Sequence, residues 1–429
     1  MGARELWVDV GPSNDFEPVR RFETFTADLY AMADWLVSRG IKTVAMESTG
    51  VYWIPACQIL ERRGVEVFLV NAAYTKNVSG RKTDMLDCQW LRTLHSYGLL
   101  PASFRPTAEI GVLRTYLRHR QMLIEYAAGH IQHIQKALGQ MNLQLAHVVS
   151  DITGATGMRI IRAILDGQRD RWKLAELRDP RTKASTAIIA KSLEGNYRAE
   201  HLFSLRQAVE LLDYYQRQIQ DCDRQISDQL QAMESRIDTA QQPLKPARSR
   251  QSKKRNQPHF DCRGEAYRIS GVDLTQIDGI SESAALTLIS EVGVDMNRWW
   301  TEKHFASWLT LCPNNKLSGG RVLQRSTRKS ASRARDTLRL CAQSLLRSSS
   351  ALGAYCRRMC QRLGEPKGIT AAAHKLALLV YRMLRFGRDY VDIGQDQYHC
   401  KYKDRMLKQL ARRAKDFGFQ LVPSPQEVP

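Results

Sequence analysis

The chain has 429 residues, which is enough for two or three domains. It carries 64 Lys and Arg against 44 Asp and Glu, a formal net charge of +20, and this excess favours a polyanionic partner such as nucleic acid over a basic surface that only meets solvent. No apolar run approaches the ~18 residues of a membrane span, and we expect no signal peptide. The nine cysteines are scattered and include no CxxC pair, which excludes a disulfide scaffold or a cysteine-based zinc site.

Residues 1–100 contain short apolar runs that alternate with helical patterns. This alternation predicts a mixed or parallel sheet covered on both faces. A glycine closes each of the three periodic segments and marks the expected end of a helix. The predicted strands are LWVDV, VRRFETF (19–25, an edge strand), KTVAM and VEVFLV, and the predicted helices are FTADLYAMADWLVSRG, IPACQILERRG and DMLDCQWLRTLHSYG.

Four acidic residues stand at the ends of these predicted elements. Asp9 and Glu47 end apolar strands, and Asp84 and Asp87 lie three apart on one helix face. Carboxylates grouped in this way in a basic protein predict a divalent-metal site for phosphodiester chemistry, with Mg²⁺ held by hard oxygen ligands. The alternative for each acid alone is a cap, a turn or a solvated face, and Asp84 is a candidate N-cap. Lys82, two residues earlier, is a candidate phosphate contact.

Two heptad patterns follow, and they predict long coiled-coil helices. Between the two patterns lies an insert at 148–200. The pair predicts a helical hairpin that pairs within or between subunits, and a plain helical bundle is the alternative. Arg120 is the one polar residue at the companion positions of the first pattern. The first seam contains Leu117, Ile124, Ile131, Leu138 and Leu145, and the second contains Leu205, Leu212, Ile219, Ile226 and Met233.

A basic linker is predicted after the second heptad pattern. It has proline and polar residues and no apolar period, and its basic run includes Lys253, Lys254 and Arg255, which we expect to contact nucleic acid. A mostly helical region follows. Its segment IDGISESAALTLISEVG resembles half of a helix-hairpin-helix, in which a helix N-terminus meets a phosphate, although an ordinary helix start is equally consistent with this pattern.

The segment LSGGR supplies a candidate nucleophile. Ser318 precedes two glycines, which expose its hydroxyl and let the backbone approach a phosphate closely. Arg321, Arg325, Arg328 and Lys329 follow, and fixed positive charge near a serine can hold a phosphate and stabilise developing negative charge. The alternative is that Ser-Gly-Gly forms only a turn.

In their order and spacing, four segments resemble the DEDD transposases of insertion-sequence family 110, including its 1111 branch. The resemblance covers nearly the whole chain. The segments are MESTGVYW, NAAYTKNVSGRKTDMLDCQWL, IDGISESAALTLISEVG and LCPNNKLSGGR. The implied fold has an α/β RuvC-like (RNase H-like) N-terminal domain at 1–105, long coiled-coil helices with an insert at 106–235, a basic linker at 236–268, a mostly α C-terminal transposase domain at 269–395 and a basic tail at 396–429.

The resemblance also implies roles for particular residues and partners. Asp9, Glu47, Asp84 and Asp87 look like the DEDD set that holds Mg²⁺, and Ser318 looks like the nucleophile that forms a transient phosphoserine link to DNA. The implied partners are donor and target DNA, a structured noncoding bridge RNA that chooses the sites, and further copies of the chain in a dimer or tetramer, with the acidic centre of one subunit facing the serine of another.

We therefore expect an RNA-guided, site-specific DNA recombinase that excises and inserts its own mobile element. We expect it in the cytoplasm, associated with the nucleoid when bound to DNA. One alternative is a RuvC-like, structure-specific nuclease that uses water and needs the four acids but not Ser318. A second alternative is a non-enzymatic nucleic-acid-binding scaffold, which needs neither.

Overall fold

The computed structural model describes residues 2–12, 15–48, 50–72, 83–247, 256–324, 326–328, 332–387 and 389–422. Contacts divide the chain into two units, residues 1–105 and 106–429. None of the helices in these described ranges has the length and apolar character needed to cross a membrane.

Four strands and three helices form the described part of the first unit, where the apolar runs predicted them. A glycine with positive φ follows each helix, namely Gly40 (φ +69°), Gly64 (φ +78°) and Gly98 (φ +66°). This left-handed conformation ends a helix because it allows the last carbonyls to be capped. In chain order the elements are β1 (Glu5–Asp9), β2 (Val19–Glu23), α1 (Thr26–Ser38), β3 (Thr43–Glu47), α2 (Trp53–Arg62), β4 (Glu66–Val70) and α3 (Asp84–Ser96).

Within the described residues, the four strands form two separate sheets instead of the single sheet that the alternation predicted. β1 pairs antiparallel with β2, and β3 pairs parallel with β4. The prediction of one sheet was wrong because an apolar run records that a strand is buried and not which strand it pairs with. The α/β character of this region is confirmed.

The core of the first unit lies between the sheets and the first two helices. α1 and α2 each bury an apolar face, whereas no residue of α3 is fully buried. The inner face of α3 therefore remains accessible for polar chemistry. The core side chains include Leu6, Val10, Leu29, Met32, Leu36, Met46, Ile59, Leu60 and Leu69.

The second unit begins with a long helical hairpin. α4 (Ala108–Gln140) packs along α9 (Ala199–Ala232) within the same chain. Pairing between subunits and a coiled-coil assembly stay predictions. Four short helices occupy the insert between the two long ones, and they are α5 (Leu145–Val148), α6 (Ala155–Leu165), α7 (Arg171–Glu176) and α8 (Thr186–Ser192).

A buried ion pair lies inside this hairpin. Arg120, the polar residue in the first heptad pattern, is buried, and its Nε donates to Asp223 Oδ1 of α9 at 2.5 Å. The Asp223 carboxylate also accepts from the backbone N–H of His259 at 3.2 Å, and the guanidinium donates to the Asn256 carbonyl at 3.1 Å. The irregular heptad position is therefore occupied by a paired charge.

The remainder of the second unit is mostly helical, as predicted. α10 (Cys262–Ser270) begins inside the segment expected to be a linker and packs on the next helix along the chain. A short exposed hairpin interrupts the helices. In chain order the elements after α10 are α11 (Glu282–Val292), α12 (Glu302–Trp308), β5 (Lys316–Ser318), β6 (Arg321–Gln324), α13 (Arg333–Ser344), α14 (Ala351–Leu363), α15 (Glu365–Phe386) and α16 (Gln395–Asp416).

The turn before α11 requires glycine. Gly279 has φ +89°, and a Cβ at this position would lie 2.7 Å from the Cys341 carbonyl oxygen. Ser281 then caps α11 by accepting a hydrogen bond from the Ala284 N–H at 3.3 Å. The predicted start of this helix is correct, and contact with a phosphate stays a prediction.

Candidate functional site: an acidic cavity and an exposed serine

Asp9, Glu47, Asp84 and Asp87, the four acids predicted from the sequence, all line one cavity of the first unit. The cavity has a volume of about 780 Å³. Asp9 ends β1 and Glu47 ends β3, whereas Asp84 and Asp87 lie in the first turn of α3. The four acids thus lie at or near the ends of a strand or a helix, and the fold brings these ends together around one cavity.

The four carboxylates do not form a closed metal site. In the part of the chain that the structure describes, no group of three or more His, Cys, Asp or Glu side chains is arranged to hold a metal ion. The donor type fits Mg²⁺, because this ion prefers hard carboxylate oxygens. Coordination by three or more of the acids requires the walls of the cavity to approach one another.

The side chain of Asp9 is almost completely buried, with 3% of its surface exposed. Arg92 Nε of α3 donates to Asp9 Oδ2 at 2.7 Å, and the Gly11 N–H donates to Oδ1 at 2.8 Å. Gly11 has φ +84°, a conformation that favours glycine, and a Cβ there would lie in contact with the Arg92 guanidinium at 3.4 Å. The charge of Asp9 is thus compensated by one cation and one amide.

The sequence reasoning missed the other polar residues of α3 that line the cavity. Cys88, Arg92 and His95 follow Asp84 at spacings of four and three, which place them on one helix face. That spacing was visible in the sequence. His95 Nε2 lies 3.0 Å from Thr43 Oγ1 of β3, so α3 is joined to both sheets.

The Cys88 thiol is protonated beside the acids. Burial, and then the nearby Asp9 carboxylate, raise the pKa of Cys88 to about 11. Its Sγ donates to the Met85 carbonyl at 3.1 Å. A protonated thiol in this position adds no negative charge to the cavity.

Thr83, and not Asp84, caps α3. Thr83 Oγ1 accepts a hydrogen bond from the Leu86 N–H at 3.3 Å, so the interpretation of Asp84 as the cap was wrong. Asp84 and Asp87 follow in the first turn, where negative charge is favoured by the helix dipole. This interaction offsets part of the repulsion among the acids.

Ser318 lies at the tip of an exposed β-hairpin in the second unit. It is the last residue of β5 and stands opposite Arg321, the first residue of β6. Gly319 (φ +53°) and Gly320 (φ +74°) form the two-residue turn, in which both positions need positive φ. The Ser-Gly-Gly sequence therefore makes a tight turn that also leaves the serine exposed.

Two of the predicted basic residues near Ser318 have different surroundings. Arg321 is exposed, and directly opposed residues of a strand pair lie on the same face, about 5 Å apart. The Arg328 guanidinium instead donates to the Ser307 carbonyl at 3.0 Å and to Ser307 Oγ at 2.8 Å, at the end of α12. The other predicted nucleic-acid contacts, Lys82, Lys253, Lys254, Arg255, Arg325 and Lys329, lie outside the described residues.

Two family models match the chain. A model for DEDD transposases of the IS110 type matches residues 16–143, which include Glu47, Asp84 and Asp87, and Asp9 lies just before this range. A model described as transposase of the IS116/IS110/IS902 family matches residues 273–357, which include Ser318. No curated protein matches the chain significantly.

Proposed function

Because the chain belongs to the IS116/IS110/IS902 family of transposases, we propose that it moves a DNA element with Mg²⁺ at its four N-terminal acids and Ser318 as the nucleophile. Membership of this family makes the chain an enzyme that acts as a DNA transposase. The observation that carries the finer proposal is that Asp9, Glu47, Asp84 and Asp87 line a single cavity.

The acidic cavity supplies the metal-binding half of the proposal. Its four carboxylates are the ligands, and bound Mg²⁺ would neutralise charge on the non-bridging phosphate oxygens and on the leaving oxygen. Arg92 pairs with Asp9 in the arrangement seen here, in which the four carboxylates do not form a closed metal site. The face of α3 that lines the cavity is mainly polar and keeps the cavity open to solvent. The RuvC-like organisation of this unit is part of the proposal and rests on the family and on these element ends.

The exposed hairpin supplies the nucleophile. The Ser318 hydroxyl gives up its proton, its Oγ forms a bond to the phosphorus, and the bond from that phosphorus to one sugar oxygen breaks. The released sugar oxygen takes up a proton. Attack by the hydroxyl of another DNA end then forms a new phosphodiester and restores the serine. Arg321, which pairs with Ser318 across the hairpin, would hold the phosphate that receives this attack.

The proposal also includes partners beyond DNA. A structured noncoding bridge RNA would choose donor and target sites, and two or four copies of the chain would bring acids and serine together at one phosphate. The net charge of +20 favours a polyanion, a class that includes both RNA and DNA. RNA of one defined length that copurifies with the protein is the result expected for a guide.

A covalent-adduct experiment tests the nucleophile. The purified protein is incubated with labelled element-end DNA and its copurifying RNA, denatured, and separated from free DNA. We expect labelled DNA attached to the wild-type chain and none attached to Ser318→Ala. Ser326→Ala is the matched control, because Ser326 is an exposed serine further along the same segment and is not the proposed nucleophile. Ser318 is exposed, so its substitution should leave the melting temperature unchanged.

The same experiment separates the two alternatives. DNA cleavage that persists in Ser318→Ala without an adduct would identify a nuclease that uses water. Binding without cleavage or adduct, in the wild type and under all metal conditions, would identify a scaffold.

A second experiment tests the acids through metal binding itself. Mg²⁺ should raise the melting temperature of the wild type, and Asp9→Asn or Glu47→Gln should reduce this rise and abolish DNA strand exchange. Asp34→Asn is the control, since Asp34 pairs with Arg63 on the surface of the same unit and does not line the cavity. An equal response to Mg²⁺ in all variants would contradict the proposed ligands.

A further inference from the structure

The last helix of the described chain, α16, is attached to the second unit by its first turns only. Tyr398 and Tyr402 place their rings 5.1 Å and 3.9 Å from the Arg358 guanidinium of α14. None of the residues of α16 is fully buried, and beyond Tyr402 all but Ala414 are exposed. The helix therefore continues for several turns as a surface that is anchored at one end.

Five basic residues form a single stripe along α16, which we call the basic stripe. They follow one another at spacings of four, three, four and three residues, the spacing that keeps side chains on one face of a helix. All five are exposed. With a rise of about 1.5 Å per residue, the basic stripe is about 21 Å long. Its members are Lys401, Arg405, Lys408, Arg412 and Lys415.

The basic stripe is opposed by a different surface. Met406 and Leu410 lie on the other side of the helix, and Phe417 follows beyond its end, seven residues after Leu410. Asp404 and Asp416 lie beside the stripe and not within it. Of the seven Lys and Arg residues of α16, five therefore lie in the basic stripe, and Lys403 and Arg413 lie outside it.

This arrangement is unfavourable for an isolated helix. Like charges four residues apart repel each other, and in the described part of the chain none of the five basic residues forms an ion pair with an acid. A polyanion removes that repulsion and gains free energy by releasing its counterions. Duplex DNA presents one negative charge per about 1.7 Å of its axis, so its backbone offers several phosphates along the length of the stripe.

We propose that α16 is a DNA-binding helix whose basic stripe contacts the phosphate backbone of duplex DNA. Duplex DNA is the favoured partner because the enzyme is a DNA transposase, and because an α-helix fits the width of the major groove. Lysine and arginine contacts to phosphates position a protein without reading base sequence. The role of α16 is therefore to hold DNA in place, and it is independent of whether Ser318 is the nucleophile.

The salt dependence of binding tests the basic stripe. The full chain is titrated against a labelled 30-base-pair duplex of unrelated sequence over a series of NaCl concentrations. Each phosphate contact contributes about 0.9 to the slope of log affinity against log salt. We expect Arg405→Ala/Arg412→Ala to bind more weakly and to reduce the magnitude of this slope by about 1.8, the value for two contacts.

A matched pair of substitutions on the same helix is the control. Lys403→Ala/Arg413→Ala also removes two exposed positive charges from α16, but from outside the basic stripe. It should leave the slope close to that of the wild type. Alanine favours the helix, so circular dichroism should show equal helix content in both variants. Arg405→Gln/Arg412→Gln repeats the test with side chains of similar length.

Three results would overturn the proposal. The first is an equal change of slope in the stripe and control variants, which would show that only net charge matters. The second is unchanged DNA binding with loss of RNA binding in the stripe variant, which would assign α16 to RNA. The third is unchanged DNA binding with loss of binding to vesicles of anionic lipid, which a basic amphipathic helix can also show.

Discussion

At the scale of single residues, the contact of Arg92 with Asp9 compensates a buried negative charge in the acidic cavity. A carboxylate that is 3% exposed needs compensation, and Arg92 provides it at 2.7 Å. Asp84 and Asp87 are exposed and lie in the first turn of α3, where the helix dipole favours negative charge. Arg92 therefore stabilises the negative charge of Asp9 as long as no other cation binds to this carboxylate.

Replacing Arg92 should make the stability of the protein depend on Mg²⁺. Arg92→Met leaves the buried Asp9 carboxylate without a cation, and we expect a loss of about 1–3 kcal/mol, less than for a fully buried pair because Arg92 is partly exposed. Because Mg²⁺ no longer competes with the arginine, it should restore more stability to the variant than it adds to the wild type. Urea denaturation with and without Mg²⁺ measures both effects.

Arg63→Met is the control for this prediction. Arg63 pairs with Asp34 where both side chains are exposed, and such pairs contribute at most about 1 kcal/mol. The interpretation of Arg92 would be wrong if the two variants lost the same stability and responded equally to Mg²⁺.

At the scale of elements, the long hairpin of α4 and α9 contains a buried charged pair that opposes a shift in its register. Arg120 and Asp223 have side chains 8% and 3% exposed, and they face each other across the interface of the two helices. A shift of one helix along the other separates them and leaves two buried charges unpaired. The pair therefore specifies one alignment, as polar residues in helical seams can do.

Removing one member of this pair should cost more than removing both. Arg120→Leu leaves the buried Asp223 carboxylate without a cationic partner and should destabilise the protein by about 3–5 kcal/mol. Arg120→Leu/Asp223→Leu places two apolar side chains of similar shape in the seam and should recover most of this loss. Chemical denaturation of the two single variants and the double variant measures the coupling, and simple additivity of the two single losses would refute the role in register.

The β5–β6 hairpin, which carries Ser318, is held by local interactions and not by a buried core. Its residues are exposed, and its tip is formed by two glycines with positive φ. A hairpin that buries so little gains its shape from turn chemistry and strand pairing and not from a core. Ser318 is thus held by a local structure that can approach DNA without disturbing the packed helices.

At the scale of the whole molecule, the net charge of +20 should dominate binding to DNA of unrelated sequence. A protein that makes about 6–10 phosphate contacts loses about 10³–10⁵ in affinity between 50 and 200 mM salt. We expect the wild-type chain to lie in this range in a filter-binding or anisotropy titration with nonspecific duplex DNA. A change of less than about tenfold would show that the positive charge serves solubility instead of binding.

The sequence predicted most of the local structure and the composition of the acidic site. Strand positions, helix ends at glycine, the two long helices and the Ser-Gly-Gly turn depend on residues close in the chain, and all are found in the structure. Asp9, Glu47, Asp84 and Asp87 were identified from the same local signals, since each stands at the end of an element.

Contacts between distant residues were decided only by the tertiary structure. Arg92 meets Asp9 from 83 residues away, and Asp223 meets Arg120 from 103 residues away, so neither partner is marked by a local pattern. The division of the strands into two sheets is also decided by long-range contacts. Hydrophobic periodicity determines which face of a strand is buried, but it does not determine which other strand it pairs with. Sequence alone thus determined which acids stand at the element ends, while long-range packing determined how far apart their carboxylates lie and which cation holds them.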